Sequence, residues 1–191
     1  MAFTKFFGVF LIVATFGLFM GAPMAQAQNF SASYKFLKAI KDMDYREIKV
    51  AIEKGVNVNT RDYDDQTTAL IKAAKMKETS LVKYLLGSGA KPNLVGNDGK
   101  TPLIIAAGIG DRSMVALLLQ AKADIDMADN NGTTPLIAAV LARKDRIAKL
   151  LVDAGADVTL EDYSGRSALQ HAIDGRRRQT EKMLRKAGAT R

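Results

Sequence analysis

His171 is the sole histidine of this chain, and Asp174, three positions on, is the nearest acid to pair with it. Histidine serves as a general base or a pH sensor because its ordinary titration lies near neutrality. No Ser, Cys or metal-ligand residue stands at a spacing that completes a nucleophile or a metal set around it. A helix residue bonded inside its own segment is therefore the simpler reading of His171. Cysteine is absent, which excludes disulfide, thiolate and Cys-metal chemistry. Neither a phosphate-binding Gly loop nor a cluster of metal ligands is present. These residues argue against an enzyme, and against a metal or a cofactor.

Two charged groups remain. Asp64, Asp65, Asp98, Asp129, Glu161 and Asp162 recur beside turn signals. They read either as an acidic recognition edge or cation site, or as turn chemistry, which favours Asp and Asn because their side chains bond nearby backbone. Arg176, Arg177 and Arg178 form a basic run that can grip acidic groups through paired guanidinium bonds. The plainer reading is a solvated, solubilising end of the chain.

What positions these residues is a period of 33. Thr68-Ala69-Leu70, Thr101-Pro102-Leu103, Thr134-Pro135-Leu136 and Ser167-Ala168-Leu169 are in step, and one step back lies Lys35-Phe36-Leu37. Leu85-Leu86, Leu118-Leu119, Leu151-Val152 and Leu184 keep the same beat, each followed by Gly89, Lys122, Gly155 or Gly188. Such a period means stacked units, none of which can bury its apolar face alone. In the third unit Asn97-Asp98-Gly99 signals a turn. Thr101-Pro102 then starts a helix, the hydroxyl accepting from an orphan amide and proline fitting the first turn. Met114, Val115, Leu117, Leu118 and Leu119 form the inward stripe of a second helix. Lys122 stands where the other units have the glycine of a left-handed helix end, so a strained turn is expected there.

This pattern resembles the ankyrin repeat family, with its turn, T-P-L, paired alanines, L-L and G-A, from Tyr34 to Arg191. The resemblance implies an all-α solenoid of about five helix-turn-helix units with projecting β-turn fingers, and a partner-binding role through a concave surface. The family's T-P-L-H histidine position is held here by Ile71, Ile104, Ile137 and Gln170, one residue before the phase of His171. The fingers are expected at Tyr63 to Gln66, Asn97 to Lys100, Asn130 to Thr133 and Tyr163 to Arg166. Met43, Met76 and Ile109 share one phase, with Leu141 from the adjoining phase; in the family this stretch lines the groove beneath the fingers. Apolar residues there suggest a binding surface, although tucking into the helix-to-helix loops is an equal alternative. The expected partner-binding set is Tyr63, Asp64, Asp65, Met76, Asn97, Asp98, Lys100, Ile109, Asn130, Asn131, Leu141, Tyr163 and Arg166.

The repeats divide as 35–62 (an N-terminal cap), 63–95, 96–128, 129–161 and 162–191 (a C-terminal cap), since end units must face water on one side. Leu37 to Gly55 spans 18 residues against 19 from Leu70 to Gly89, which suggests a shortened helix-to-helix loop in the first unit and a finger lengthened by one.

Before the array, Lys5, an apolar run from Phe6 to Met20, the breakers Gly21 and Pro23, and Ala25-Gln26-Ala27 describe a signal peptide over 1–27, followed by a leader over 28–34. The run is short of the roughly 20 apolar residues that a membrane-spanning helix needs. Cleavage after Ala27 leaves 164 residues whose net charge is +7, Lys5 being lost from the formal +8. Basic balance often points to nucleic acid, but export argues against that partner. The expectation is a periplasmic protein, monomeric when free, that binds another envelope or secreted protein. Regulation, shielding or inhibition of that partner, for example immunity against an envelope hydrolase, is the expected outcome; support of a protective enzyme, or capture of an anionic polymer by the basic cap, is the alternative.

Overall fold

The computed structural model describes residues 32–190. The expected signal peptide, its cleavage site and Gln28 lie outside the described residues. Helices alternate with loops in five pairs: α1 (32–41) with α2 (Tyr45–Glu53), α3 (Ala69–Lys75) with α4 (Thr79–Gly87), and α5 (Pro102–Ile109) with α6 (Arg112–Gln120). The last two pairs are α7 (Pro135–Leu141) with α8 (Asp145–Asp153), and α9 (Ala168–Asp174) with α10 (Arg178–Lys186). Odd-numbered helices stack on one another, α3 on α5, α5 on α7 and α7 on α9, and α4 meets α6 as α8 meets α10. The result is the expected all-α solenoid.

Each first helix from α3 onward starts where the sequence predicts. Thr68, Thr101, Thr134 and Ser167 adopt extended backbone, and their hydroxyls accept from the amides of Ile71, Ile104, Ile137 and Gln170 at 3.1 to 3.3 Å. Removing such a cap typically costs about 1 kcal/mol. The paired alanines Ala73-Ala74 and Ala106-Ala107 are fully buried, which lets neighbouring helices approach closely. Met114, Val115 and Leu118 are fully buried, while Leu117 and Leu119 are half-buried at the edge of the stripe.

The register of the first repeat differs from the expected one. Helix ends, loops and burial align Phe36 with Leu70 and Gly55 with Gly89, a step of 34 rather than 33. Phe36 precedes Gly55 by 19 residues, the same spacing as in every other repeat, so no helix-to-helix loop is shortened. The whole insertion sits in the first finger, between Asp62 and Gln66. The sequence pattern sets Leu37 beside Leu70 because Phe36 and Leu37 are both apolar, and in the structure both are buried. Met43 consequently leaves the column of Met76 and Ile109. It stands with Lys77, Gly110, Arg143 and Arg176 at the loop position where φ is positive, 54° for Met43 and 63° for Lys77.

Left-handed backbone thus recurs at fixed places, and three of those columns hold non-glycine residues. Gln66 (φ 54°) replaces the glycine of the other finger turns, and Lys122 (φ 63°) replaces the glycine at the helix end, as expected. An L-residue in this conformation costs roughly 1 to 2 kcal/mol. The stacked core tolerates it.

Candidate functional site

The fingers are built by aspartate. Asp129 Oδ1 accepts from the amides of Asn131 and Thr133, and Asp162 Oδ1 from those of Ser164 and Arg166, at 2.9 to 3.1 Å. Asp98 Oδ1 accepts from the amide of Lys100 and Asp65 Oδ1 from that of Thr67. The acidic series is therefore first of all turn chemistry. Antiparallel bridges Arg61 to Thr68 and Glu161 to Ser167 close the first and last fingers.

Neighbouring fingers are then tied into a row. The amides of Asn97, Asn130 and Tyr163 donate to the carbonyls of Asp65, Asp98 and Asn131 at 3.0 to 3.3 Å. The side chains of Asn97 and Asn130 donate to the carbonyls of Asp64 and Asn97. Close approach requires glycine: a Cβ on Gly99 would lie 2.3 Å from Asn130 Oδ1, and one on Gly132 would lie 2.7 Å from the Tyr163 ring. Asn97 and Asn130, expected to contact a partner, are exposed and also join one finger to the next.

Two polar side chains, Lys72 and His171, fasten the outer fingers to the helices. Lys72 on α3 reaches Asp62 at 2.9 Å and Asp65 at 3.6 Å. His171 Nε2 on α9 lies 2.6 Å from Asp162 Oδ2. The partner of His171 is thus Asp162 in the finger and not Asp174, which pairs with Arg166 at 3.7 Å and accepts from Gln170. The Lys72 hydrogen bond, with the Asp64 amide, holds the Asp62 carboxyl below the usual range. Burial opposes ionisation of Asp162, but hydrogen bonds from Ser164, His171 and the Arg166 amide outweigh it and hold the acid well below its ordinary value. Ser164 donates to Asp162 rather than to His171, so these three residues lack the hydroxyl-to-imidazole contact that activates a serine nucleophile. Among the described residues, no cluster of three or more His, Asp or Glu is placed to hold a metal ion.

Between these fastenings lies a groove of about 600 Å³. Ile104, Ile105, Gly108 and Ile109 of α5 and Ala138 and Leu141 of α7 line it with Ala142, beneath Asp98, Lys100, Asp129, Asn131 and Thr133, with Lys75 at one side. Of the expected residues, Asp98, Lys100, Ile109, Asn131 and Leu141 come together here. Leu141 is 54 % exposed. Outside this lining stand Met76, which is half-buried, and Tyr63 and Tyr163, which are strongly exposed on the first and fourth fingers. Lys75 and Ile105 join the lining without a sequence signal that points to them, and Thr133 joins it from the expected third finger. Ile105 and Ala138 share the column of Lys72 and His171, a signal readable only once finger and helix are known to meet.

The arginine run is divided by the fold. Arg177 donates to the Val140 carbonyl at 2.9 Å and pairs with Asp145, which also accepts from Thr180. Its side chain is only 10 % exposed and links the last two repeats. Arg176 and Arg178 remain exposed.

Two family models, both of ankyrin repeats, match almost the whole described array. The three-copy model covers residues 78–162 and 110–190, and the many-copy model covers residues 36–86. The chain belongs to the ankyrin repeat family. Ankyrin repeats generally mediate protein–protein interaction, and their proteins are typically binding modules without enzymatic activity. No curated protein matches the chain. In this ankyrin solenoid no described helix is long and apolar enough to cross a membrane.

Proposed function

We propose that this ankyrin protein is exported to the periplasm and there binds another envelope protein through the groove between its fingers and first helices, so regulating, shielding or inhibiting it. The observation that carries this reading is the exposed apolar floor, with Leu141 and the half-buried Ile105 and Ile109, set below fingers already fixed to one another. A preorganised surface loses little conformational freedom on binding, and contiguous exposed apolar residues mark interaction sites. The fastening of His171 within the last repeat supports a binding role over a catalytic one. Lys5, the apolar run and Ala25-Gln26-Ala27 support export and a mature start at Gln28.

Capture from an envelope extract tests the proposal. The mature chain serves as bait beside an Ile109→Ala/Leu141→Ala control, with mass spectrometry of what is retained. A protein held by the first bait and lost from the second supports the reading. Retention of the same protein by both places binding elsewhere on the solenoid.

A further inference from the structure

Resting on that reading of the groove, we infer that its occupant is an apolar protein segment flanked by carboxylates, the apolar side chain entering over Ile105, Ile109 and Leu141 and the acids meeting Lys75 and Lys100. The argument is one of charges left over once the fold has used its own. Lys75, at the end of α3, and Lys100, on the second finger, both line the groove. Among the described residues neither side chain makes a hydrogen bond or an ion pair, and Lys75 acts only as a distant attraction on Asp65.

The acids of the same lining keep their charge, but they are bonded into their own turns and pair with neither lysine. Asp129 is 5 % exposed and accepts from two amides of its own turn, and Asp98 accepts from the Lys100 amide. Elsewhere along this face the cations are used: Lys72 lies between Asp62 and Asp65, and Arg166 pairs with Asp174. The groove therefore presents an apolar floor between unpaired ammonium groups. Its complement is apolar at the centre and acidic at the flanks.

The test uses the mature chain and three capped synthetic pentapeptides with a Leu-Phe-Leu centre, flanked by Glu, Gln or Lys, followed by amide NMR shifts at low and high salt. Polyglutamate serves as an anionic polymer without an apolar centre. The Glu peptide is expected to move the amides of Ile105, Ile109 and Leu141. It should bind about tenfold more tightly than the Gln peptide at low salt, since two exposed ion pairs together supply about that factor. High salt and the Lys75→Gln/Lys100→Gln variant should each remove the preference.

Equal binding of the Glu and Gln peptides in the groove overturns the inference while leaving the groove as the binding site. Shifts confined to Arg176 and Arg178, given alike by the Glu peptide and polyglutamate, overturn both and favour the polymer. Absence of shifts with every peptide also overturns the inference.

Discussion

Lys72 and His171 occupy the same position in the second and fifth repeats, and each closes on the aspartate that opens its finger, Asp62 at 2.9 Å and Asp162 at 2.6 Å. At the two positions between them stand Ile105 and Ala138, which line the groove instead. One column of the repeat thus divides its work: polar side chains anchor the outer fingers, and small or apolar side chains leave the inner ones over an open floor.

His171→Ala should destabilise the last repeat by about 1 to 3 kcal/mol, the usual cost of leaving a largely buried hydrogen-bonding partner unsatisfied. Urea unfolding measures it. A change near zero would mean that the contact with Asp162 is incidental.

Asp162 carries a pH dependence of known sign. Its carboxyl titrates below the ordinary value in the folded chain, so its contribution is complete above the unfolded pKa, about 3.9, and is lost as pH falls toward the folded one. Between about pH 4 and pH 2, stability of the Asp162→Asn variant should therefore fall less steeply than that of the wild type. Thermal unfolding across that range checks this, and parallel slopes would refute it.

Lys122→Gly should stabilise the fold by up to about 1 kcal/mol. It relieves the left-handed strain at φ 63°, and the gain is reduced by the greater freedom of glycine in the unfolded chain. Gly155→Lys, at the equivalent place one repeat later, should do the reverse. A melting temperature that moves the same way in both variants would contradict the assignment.

Leu118→Ala should cost about 2 to 5 kcal/mol, as truncation of a fully buried leucine does. A loss below about 1 kcal/mol, typical of surface changes, would place Leu118 outside the core. Arg177→Ala should likewise lower stability, through the lost link to Val140 and Asp145, whereas Arg176→Ala should not.

The solenoid was legible because its period fixes helices, caps and core together: Thr101-Pro102, the buried alanines and Leu118 all stand where spacing puts them. The first repeat slipped by one because apolar Phe36 and Leu37 are interchangeable to a pattern, while the residue that shifts them lies in a finger of variable length. The groove was half legible. Ile109 and Leu141 carry an apolar signal, but the use of Asn97 and Asn130 between fingers, and of Arg177 between helices, depends on contacts some 32 to 37 residues apart that composition does not reveal. The pairing of His171 with Asp162 is hidden for the same reason, since nine residues separate them and only the folded finger brings them together.

The most direct test is isothermal titration of the captured envelope protein against wild type, Ile109→Ala/Leu141→Ala and Arg176→Glu/Arg178→Glu, at low and high salt. If the groove is the binding site, the first pair should weaken binding by about 1 kcal/mol or more per anchor, about a fivefold loss or more each, with the fold intact. The charge reversals should alter mainly the association rate and the salt response. Normal binding by the groove variant together with loss of binding by the arginine reversals would contradict the account and move the site to the basic end of the solenoid.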